Sequence, residues 1–266
     1  MSQPGLNFEN AVICVGHLQP LFSLVDSPVA FLSEEDIGVP DAWVFGEEYP
    51  DLLSHGHTLS EYAALFALSR RLRKAGNIPH RLVLTQYRKF VTHQNIGTIA
   101  ENMPYVKTIP AEGLSVHKKD IAPLKNNILV TMPFDLQMRV LDQYSKVHFL
   151  RDLLAFVSDS IDRGVINNAE AKDMLDSRFM IPAPALGCYD GKTFMEIFGA
   201  LEQAAVYFLA RSYQPRAGYQ RRVLGFCLER LHSYLLLKRL GFPNLQTENF
   251  GWQIVVADNC VVQPTI

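Results

Sequence analysis

Apolar residues follow two different periods along this chain, and segments of the two kinds alternate. The short run Val12–Val15 is typical of a buried strand, and a second such run begins at Arg81. Elsewhere apolar residues recur at helical spacing, which predicts amphipathic helices. Strands that alternate with helices favour an α/β fold over segregated layers. We expect a single domain over residues 1–266, with a mixed central sheet flanked by helices and a helical part from about 136 to 241.

The predicted helices have recognisable ends. Thr58 can cap a helix, with Glu61 as its capping-box partner, and Gly76 suits the end of that helix. Asp190 can cap another helix, which runs to about Arg211. Further helices are predicted over about Leu136–Asp162, about Asn168–Asp176 and Tyr219–Leu240, the last ending at Gly241.

Other segments carry turn-forming or interrupted patterns. Residues 26–57 are rich in Pro, Gly, Asp and Glu, and residues 92–127 contain several Pro, Gly and Asn, so both are predicted to be irregular. Weaker strand patterns lie at Asn127–Met132, at Phe179–Leu186, where prolines interrupt the run, and at Phe250–Val262.

The strand that begins at Arg81 becomes polar at its far end. Ligands of open α/β sheets bind beyond the carboxyl ends of strands, so Gln86, Tyr87, Arg88 and Lys89 stand where substrates usually bind. Strand alternation would place Gln86 and Arg88 on one face, and Tyr87 and Lys89 on the other. An edge strand with a solvated end is the alternative interpretation.

The last predicted helix carries charges where a buried helix would be apolar. Arg230 falls within its apolar stripe, and a buried guanidinium needs an anion because an unpaired buried charge is costly. Gly225 shares a face with Arg222 and Glu229, and a mid-helix glycine indicates close approach of backbone or ligand. The alternative to a ligand is a structural Arg–Glu pair. The stripe consists of Phe226, Cys227, Tyr234 and Leu237.

Composition limits the class of protein. Apolar residues make up 48% of the 266 residues and charged residues 20%, as in soluble globular proteins. A net charge of -2 argues against a nucleic-acid binder. The four cysteines lack metal-site spacing and are expected to be reduced, mostly buried thiols of a cytosolic protein. Neither a signal peptide nor a membrane span is expected, whereas peripheral membrane association stays open.

Four blocks of residues carry a family resemblance. Ser60–Ala67 is similar to a Ser-Glu-Leu-Thr-Ala-Leu-Tyr-Trp helix, and Gln86–Phe90 to a His-Tyr-Arg-Arg-Tyr-Phe strand end. Gln143–Leu153 is similar to a Gln-Tyr, His and Asp-Leu block, and Tyr219–Leu231 to a Tyr-Gln-x-Arg-x-x-Gly-Phe-x-x-Glu-Arg-Leu helix. With these blocks the chain resembles bacterial glycosyltransferases of capsule and exopolysaccharide loci, long catalogued as a domain of unknown function.

The resemblance implies a GT-A-like, Rossmann-related fold and a hexosyltransferase-like activity. The donor would be a nucleotide sugar and the acceptor a glycan or a lipid-linked glycoconjugate, in the synthesis of a bacterial surface polysaccharide. The protein would be cytoplasmic, or peripheral at the inner face of the membrane. Two departures matter: Gln86 stands where the family has histidine, and Lys89 replaces arginine, which keeps the charge but loses the planar fork.

Such a donor presents a diphosphate that must be neutralised. The chain contains no Asp-x-Asp metal motif, and Glu34-Glu35-Asp36 and the pair His55 and His57 are weak substitutes. We therefore expect a metal-independent enzyme without a cofactor, although a divalent metal stays open. Arginine binds phosphate best through paired hydrogen bonds. The predicted substrate-binding residues are Gln86, Tyr87, Arg88, Lys89, Arg221, Arg222 and Arg230.

Glycosyl transfer also calls for a carboxylate near the sugar and a base for the acceptor hydroxyl. Asp152, Glu229 and His148 are the catalytic candidates, and His148 and Asp152, four positions apart on a predicted helix, can hydrogen-bond. Two other interpretations are a non-catalytic relative that binds nucleotide sugars or glycans, and a scaffold whose arginines form structural ion pairs. The enzyme hypothesis requires that the strand end at Arg88 and the helix at Arg230 meet.

Overall fold

A ten-stranded mixed sheet forms the centre of the fold. The computed structural model describes residues 10–25, 29–101, 103–123 and 128–257. The strands are β1 (Asn10–Val15), β2 (Ser23–Val25), β3 (Val29–Ser33), β4 (Trp43–Val44), β5 (Arg81–Gln86), β6 (Lys89–Thr92), β7 (Thr98–Ala100), β8 (Met103–Pro110), β9 (Ser115–His117), β10 (Val130–Thr131), β11 (Phe134–Asp135), β12 (Phe179–Met180), β13 (Gly187–Asp190) and β14 (Phe250–Ala257). The helices are α1 (Pro50–Ser54), α2 (Gly56–Leu59), α3 (Tyr62–Ala75), α4 (Lys118–Ile121), α5 (Val140–Val147), α6 (Leu150–Asp162), α7 (Asn168–Asp176), α8 (Gly191–Arg211) and α9 (Val223–Arg239).

One half of the sheet is parallel. Strands β4, β3, β1 and β5 lie in that order, with Val15 of β1 opposite Leu32 of β3 and Gln86 of β5. The residues that follow β1, β3 and β5 therefore lie along one edge of the sheet. Beyond β5 the order continues β6, β14, β8 and β7; β6 runs antiparallel to β14, and β13 runs antiparallel to β5.

Apolar side chains project from both faces of the sheet. Alternate residues of β1 divide between two clusters: Ile13 packs with the helices α3, α6, α8 and α9, whereas Val12 packs with Val83 on the opposite face. That opposite face is covered by α4 and the small β2–β9 pair, through Ile121 and Val116. The predicted class, a mixed α/β sheet flanked by helices, is confirmed.

Helix ends that depend on nearby residues agree with prediction. Asp190 caps α8 by accepting a hydrogen bond from the Thr193 backbone N–H at 2.9 Å. Gly76 ends α3 in the left-handed region, at φ 67°. Gly241 follows α9 with φ 81°. These devices use hydrogen bonds or backbone angles within a few positions, so the sequence pattern contains them.

The two segments predicted to be irregular contain regular elements, so both predictions are wrong. The first contains β3, β4, α1 and α2, and the second contains β7, β8, β9 and α4. β8 is stabilised by pairing with β14, in which Val106 lies opposite Gln253. A partner so distant in the sequence leaves no local pattern. The predicted strand Phe179–Leu186 is likewise short, because β12 ends at Met180 and β13 begins only at Gly187.

Two predicted helices are interrupted. The capping box of Thr58 and Glu61 does not form: α2 ends before Ser60, and the Thr58 hydroxyl lies 2.9 Å from the Tyr213 hydroxyl instead. The long helix is broken at His148, whose backbone is extended (φ -139°, ψ 170°), because the imidazole stacks on the Phe226 ring of α9. Tertiary contacts override helical propensity at both breaks.

Three described cysteines, Cys14, Cys188 and Cys227, are free and buried, as predicted, and burial raises the pKa of each thiol to about 12. Cys260, residue 127 and the end of the predicted strand after Ala257 lie outside the described residues. Over the described ranges, none of the helices combines the length and the apolar content that crossing a membrane requires.

Candidate functional site

The polar end of β5 is a tight turn. Tyr87 and Arg88 connect β5 to β6, with Gln86 paired to Lys89, so the predicted strand alternation of these four residues is wrong. The turn is fixed to the end of β1: the Tyr87 backbone N–H donates to the Val15 carbonyl at 3.2 Å. The half-buried Gln86 remains opposite Val15 in the parallel pair.

A histidine that the sequence analysis did not select lies beside this turn. His17 follows β1, and its ring lies 5.1 Å from the ring of Tyr87. Burial lowers the pKa of His17, and the charges of Arg88 and Arg222 lower it further. The charges of both guanidinium groups therefore act on one imidazole. The sequence contains the same signal at both places, because Gly16 and His17 follow an apolar strand as Tyr87 and Arg88 follow β5.

The start of α9 contacts the turn between α2 and α3. Nε of Arg222 donates a hydrogen bond to Oγ of Ser60 at 2.8 Å, and Nη2 of Arg222 lies 3.7 Å from Oε2 of Glu61. Gly225, one helical turn further, has no side chain to separate the helix from Ser60; a β-carbon there would lie 3.0 Å from the Ser60 Oγ. The close approach predicted from this glycine is therefore to backbone and side chain of the Ser60 turn.

Lys89 connects the two regions electrostatically. Burial lowers the pKa of Lys89; the carboxylates of Glu61 and Glu229 oppose that shift, and Arg88 and Arg222 reinforce it. Charges from the start of α3, the β5–β6 turn, the residue before α9 and α9 itself thus act on the ammonium group of Lys89 in β6. We call Arg88, Lys89 and Arg222 the cation cluster. Within the described ranges, no carboxylate lies within ion-pair distance of Arg88 or Lys89.

The guanidinium of Arg230 is bonded to protein acceptors and is not part of the cation cluster. Its side chain is 5% exposed; Nη1 donates to Oε2 of Glu229 and to the Phe226 carbonyl, and Nη2 donates to Oε1 of Gln143, at 3.0, 3.1 and 3.0 Å. Nε is buried without a partner among the described residues. The other oxygen of Glu229 accepts from the Ala183 N–H at 3.3 Å. The anion that Arg230 requires is therefore its neighbour Glu229.

His148 belongs to an aromatic group at the start of α9. Its ring stacks on Phe226 at 4.0 Å, and Nδ1 lies 3.1 Å from Oε1 of Gln220. Burial lowers the pKa of His148, and the Gln220 contact opposes that shift. The predicted His148–Asp152 hydrogen bond is wrong, because the break between α5 and α6 separates the pair and each has another partner.

Asp152 is buried in a bidentate ion pair. Its two oxygens accept from Nε and Nη2 of Arg216 at 3.0 and 2.6 Å. Arg221, by contrast, is exposed at the end of the short 3-10 helix 218–222 and makes no ion pair with a described residue. The structure thus places Asp152 in the framework and Arg221 at the surface.

The weak metal candidates are placed as follows. Glu34-Glu35-Asp36 directly follows β3, a strand within the segment 26–57 that was predicted to be irregular. Burial raises the pKa of Glu34, and His57 opposes that shift. In the parts of the chain that the structure describes, no group of three or more His, Cys, Asp or Glu side chains is arranged to hold a metal ion.

Two surface cavities lie apart from the cation cluster. One of about 360 Å³ is lined by residues that include Asp190, Thr193 and Arg239, and another of about 530 Å³ by residues that include Glu47 and Arg71. No residue of the cation cluster lines either cavity. The candidate site therefore depends on charge and on position at the carboxyl edge of the strands.

Comparison with known proteins supports the fold. No family model and no curated protein matches the chain. The chain is similar to the apo structure of WbbM, described as a bifunctional glycosyltransferase, with a TM-score of 0.70 and 15% sequence identity. The match covers 97% of this chain and 48% of that one, so the chain spans about half the length of the solved protein. The described α/β architecture is thus shared with a glycosyltransferase structure.

Proposed function

We propose that the chain is a glycosyltransferase that moves a hexose-like sugar from a nucleotide-sugar donor to a glycan or lipid-linked acceptor, in bacterial surface-polysaccharide synthesis. The observation that carries the proposal is the cation cluster. This cluster lies at the carboxyl edge of the parallel strands, where Arg88 and Lys89 lie at the β5–β6 turn and Arg222 precedes α9. The charges of Arg88 and Arg222 lower the pKa of both Lys89 and His17. The shared architecture with a solved glycosyltransferase supports the same assignment.

The cation cluster suits a diphosphate. Like charges held together repel one another, and a bound polyanion removes that repulsion. Guanidinium groups donate paired hydrogen bonds to phosphate oxygens, and fixed positive charge stabilises the diphosphate most when it leaves with the bonding electrons. In this proposal the cluster, rather than a metal ion, neutralises the leaving group.

Other predicted residues receive revised roles in the proposal. Arg230 is a positioning residue: its guanidinium, fixed by the Phe226 carbonyl and Gln143, donates to Glu229 and holds that carboxylate beside the cluster. Asp152 is a framework residue held by Arg216. His148 stacks on Phe226 and lies near the exposed Tyr219, and we assign this aromatic group to contact with a sugar ring or a nucleobase of the donor.

The test combines binding with turnover. We expect UDP- or GDP-sugars to raise the melting temperature of the wild-type protein and to be hydrolysed slowly. Arg88→Ala should weaken donor binding tenfold or more, because one phosphate ligand is lost. Arg178→Ala is the matched control: Arg178 pairs with Asp135 at the surface, outside the site, and its loss should leave both readouts unchanged.

The second candidate is a non-catalytic relative that binds nucleotide sugars or glycans, which the substitution of Gln86 for the family's histidine favours. Donor binding without hydrolysis, even after Gln86→His, would support it. A folded, monodisperse protein that binds no member of a broad donor panel would contradict both candidates.

The proposal includes a cytoplasmic protein at the inner face of the membrane. Three apolar side chains near the site are exposed: Val147 at 52%, Phe149 at 52% and Tyr219 at 56%. The Gln220 side chain bonds the Val147 carbonyl, so the two segments are adjacent, and the exposed Lys146 flanks them. We expect co-sedimentation with phosphatidylglycerol vesicles but not with phosphatidylcholine vesicles, and loss of binding in Phe149→Ser. Equal recovery in the supernatant for all samples would contradict this part.

A further inference from the structure

Glu61 has a carboxylate that the preceding roles leave unused. Its side chain is 23% exposed, and the ion partner within 4 Å among the described residues is Arg222, whose Nη2 lies 3.7 Å from Oε2. That separation is too long for a hydrogen bond. Glu61 occupies the N-cap position of α3, yet its side chain makes no capping hydrogen bond. The carboxylate accepts a hydrogen bond from its own backbone N–H, and its remaining lone pairs keep the capacity to accept one from a ligand.

The backbone before Glu61 is strained. Ser60 has φ 56° and ψ -141°, a conformation that favours glycine. Strain of this kind persists only where surrounding contacts hold it. Here the contacts come from the same helix that supplies the cation cluster: Arg222 bonds the Ser60 hydroxyl, and Gly225 packs on the Ser60 side chain. The turn thus fixes where Glu61 leaves the backbone. Its carboxylate lies 3.7 Å from Arg222, and the charges of Lys89 and Glu229 also act on it.

We propose that Glu61 is the base of the transfer reaction, an inference that rests on the proposed function. In a single displacement, a lone pair of the acceptor hydroxyl oxygen forms a bond to the anomeric carbon, and the bond from that carbon to the diphosphate oxygen breaks. The bonding electrons leave with the nucleoside diphosphate, whose charge the cation cluster neutralises. The hydroxyl proton passes to the carboxylate of Glu61.

The surroundings of Glu61 suit this task. Burial raises the pKa of its carboxyl, and the charge of Glu229 adds to that shift. The hydrogen bond from its own backbone N–H and the charges of Arg222 and Lys89 oppose it. The groups that face it are Lys89 from β6, Arg222 from the 3-10 helix, Glu229 from α9 and the adjacent Tyr62 of α3. A raised pKa makes the carboxylate a better proton acceptor, and the neighbouring cations favour its charged form.

The experiment measures release of UDP or GDP from a panel of UDP- and GDP-sugars, with water as acceptor. Glu61→Gln should lower kcat by about 100-fold or more, the range of general-base catalysis, while the donor dissociation constant changes less than about threefold. The matched control is Glu196→Gln: Glu196 pairs with Arg239 at the surface of α8, and its loss should leave kcat unchanged. Equal kcat in Glu61→Gln and wild type would overturn the inference.

A positioning role predicts a different result. If Glu61 only orients Arg222, Glu61→Gln would weaken donor binding and leave kcat at saturation nearly intact, which also overturns the inference. The pH profile is the second readout and does not require the Glu61→Gln variant to fold. The wild-type kcat/KM should fall on the acid side, and Glu229→Gln should move that limb to lower pH, because it removes a charge that raises the pKa of Glu61.

An acid limb that Glu229→Gln leaves in place would count against Glu61 as the base. Glu61→Asp provides a folded, charged variant, in which a shorter side chain should give intermediate turnover with wild-type donor binding. If the wild type neither binds nor hydrolyses any donor, the proposed function itself fails. If it does both and Glu61→Gln matches it, only the inference fails.

Discussion

Gly225 of α9 packs directly on Ser60, so that a β-carbon at position 225 would lie 3.0 Å from Oγ and 3.2 Å from Cβ of Ser60. These two residues set the distance between the helix that supplies Arg222 and the turn that presents Glu61. The contact explains why a helix interior retains glycine, which costs about 0.5–1 kcal/mol relative to alanine.

The first prediction is a coupling between these positions. Gly225→Ala should destabilise the wild-type protein by about 1 kcal/mol, since the crowding exceeds the gain in helix propensity. In a Ser60→Gly background the same change should be neutral or stabilising, because the two closest atoms, Oγ and Cβ of Ser60, are gone and the Leu59 carbonyl oxygen lies at an ordinary contact distance of 3.4 Å. Urea unfolding of the four proteins gives the coupling energy. Additive effects of the two substitutions would show that the contact does not limit the approach of α9.

The second prediction concerns Asp152 and Arg216. Their bidentate pair is buried on the aspartate side, so Asp152→Ala should lower the free energy of unfolding by about 2–4 kcal/mol and leave Arg216 without its partner. Arg216→Ala should lower it similarly, and the double variant should cost less than the sum. Turnover per folded molecule distinguishes this structural role from a catalytic one. A loss of turnover in Asp152→Ala that Arg216→Ala does not reproduce would restore Asp152 as a catalytic candidate.

The third prediction concerns Arg230. Its removal takes a hydrogen bond from Glu229 Oε2 and from Gln143 Oε1, both partly buried, so Arg230→Met should lower the unfolding free energy by about 2–4 kcal/mol. Arg230→Lys should recover part of the stability, but it cannot reproduce three hydrogen bonds in one plane. If Arg230 were a phosphate ligand, as the sequence predicted, Arg230→Lys would weaken donor binding as strongly as Arg88→Ala. A positioning role predicts a smaller loss.

A buried histidine provides the fourth prediction. His232 lies between two tyrosines: the Tyr62 hydroxyl is 3.2 Å from Nδ1, and the Tyr189 hydroxyl is 3.3 Å from Nε2. Because Tyr189 donates its proton to the Pro184 carbonyl, Nε2–H donates to Tyr189 and Nδ1 accepts from Tyr62. Burial lowers the pKa of His232 from 6.5 to about 3, so the folded protein holds it neutral.

The unfolded chain binds a proton at His232 below pH 6.5, whereas the folded protein does so only near pH 3. Between these values the unfolded state binds more protons, so stability should fall as the pH falls, by roughly 1 kcal/mol per pH unit from this group. Urea unfolding at several values between pH 4 and pH 7 measures the slope. His232→Gln should reduce it, and an identical slope in the variant would show that other groups cause it.

Much of the regular structure could be predicted because its determinants are local. The caps at Asp190, Gly76 and Gly241 act within a few residues, and the polar residues after β5 were recognised from the apolar run before them. His17 was equally accessible by that rule. The predictions that residues 26–57 and 92–127 are irregular were wrong, because β3 and β8 are stabilised by pairing with β1 and β14, which lie elsewhere in the sequence.

The amino-acid sequence by itself determined the alternating α/β order, the local helix ends and the cations that follow β5 and precede α9. Only the tertiary structure decided that Arg222 meets Ser60, 162 positions away, that Arg230 is held by Glu229 and Gln143, and that Asp152 belongs to Arg216. The physical reason is that charge pairing and close packing join residues through space. The pattern of residue types along the chain indicates which residues need partners, but it does not indicate which partners the fold supplies.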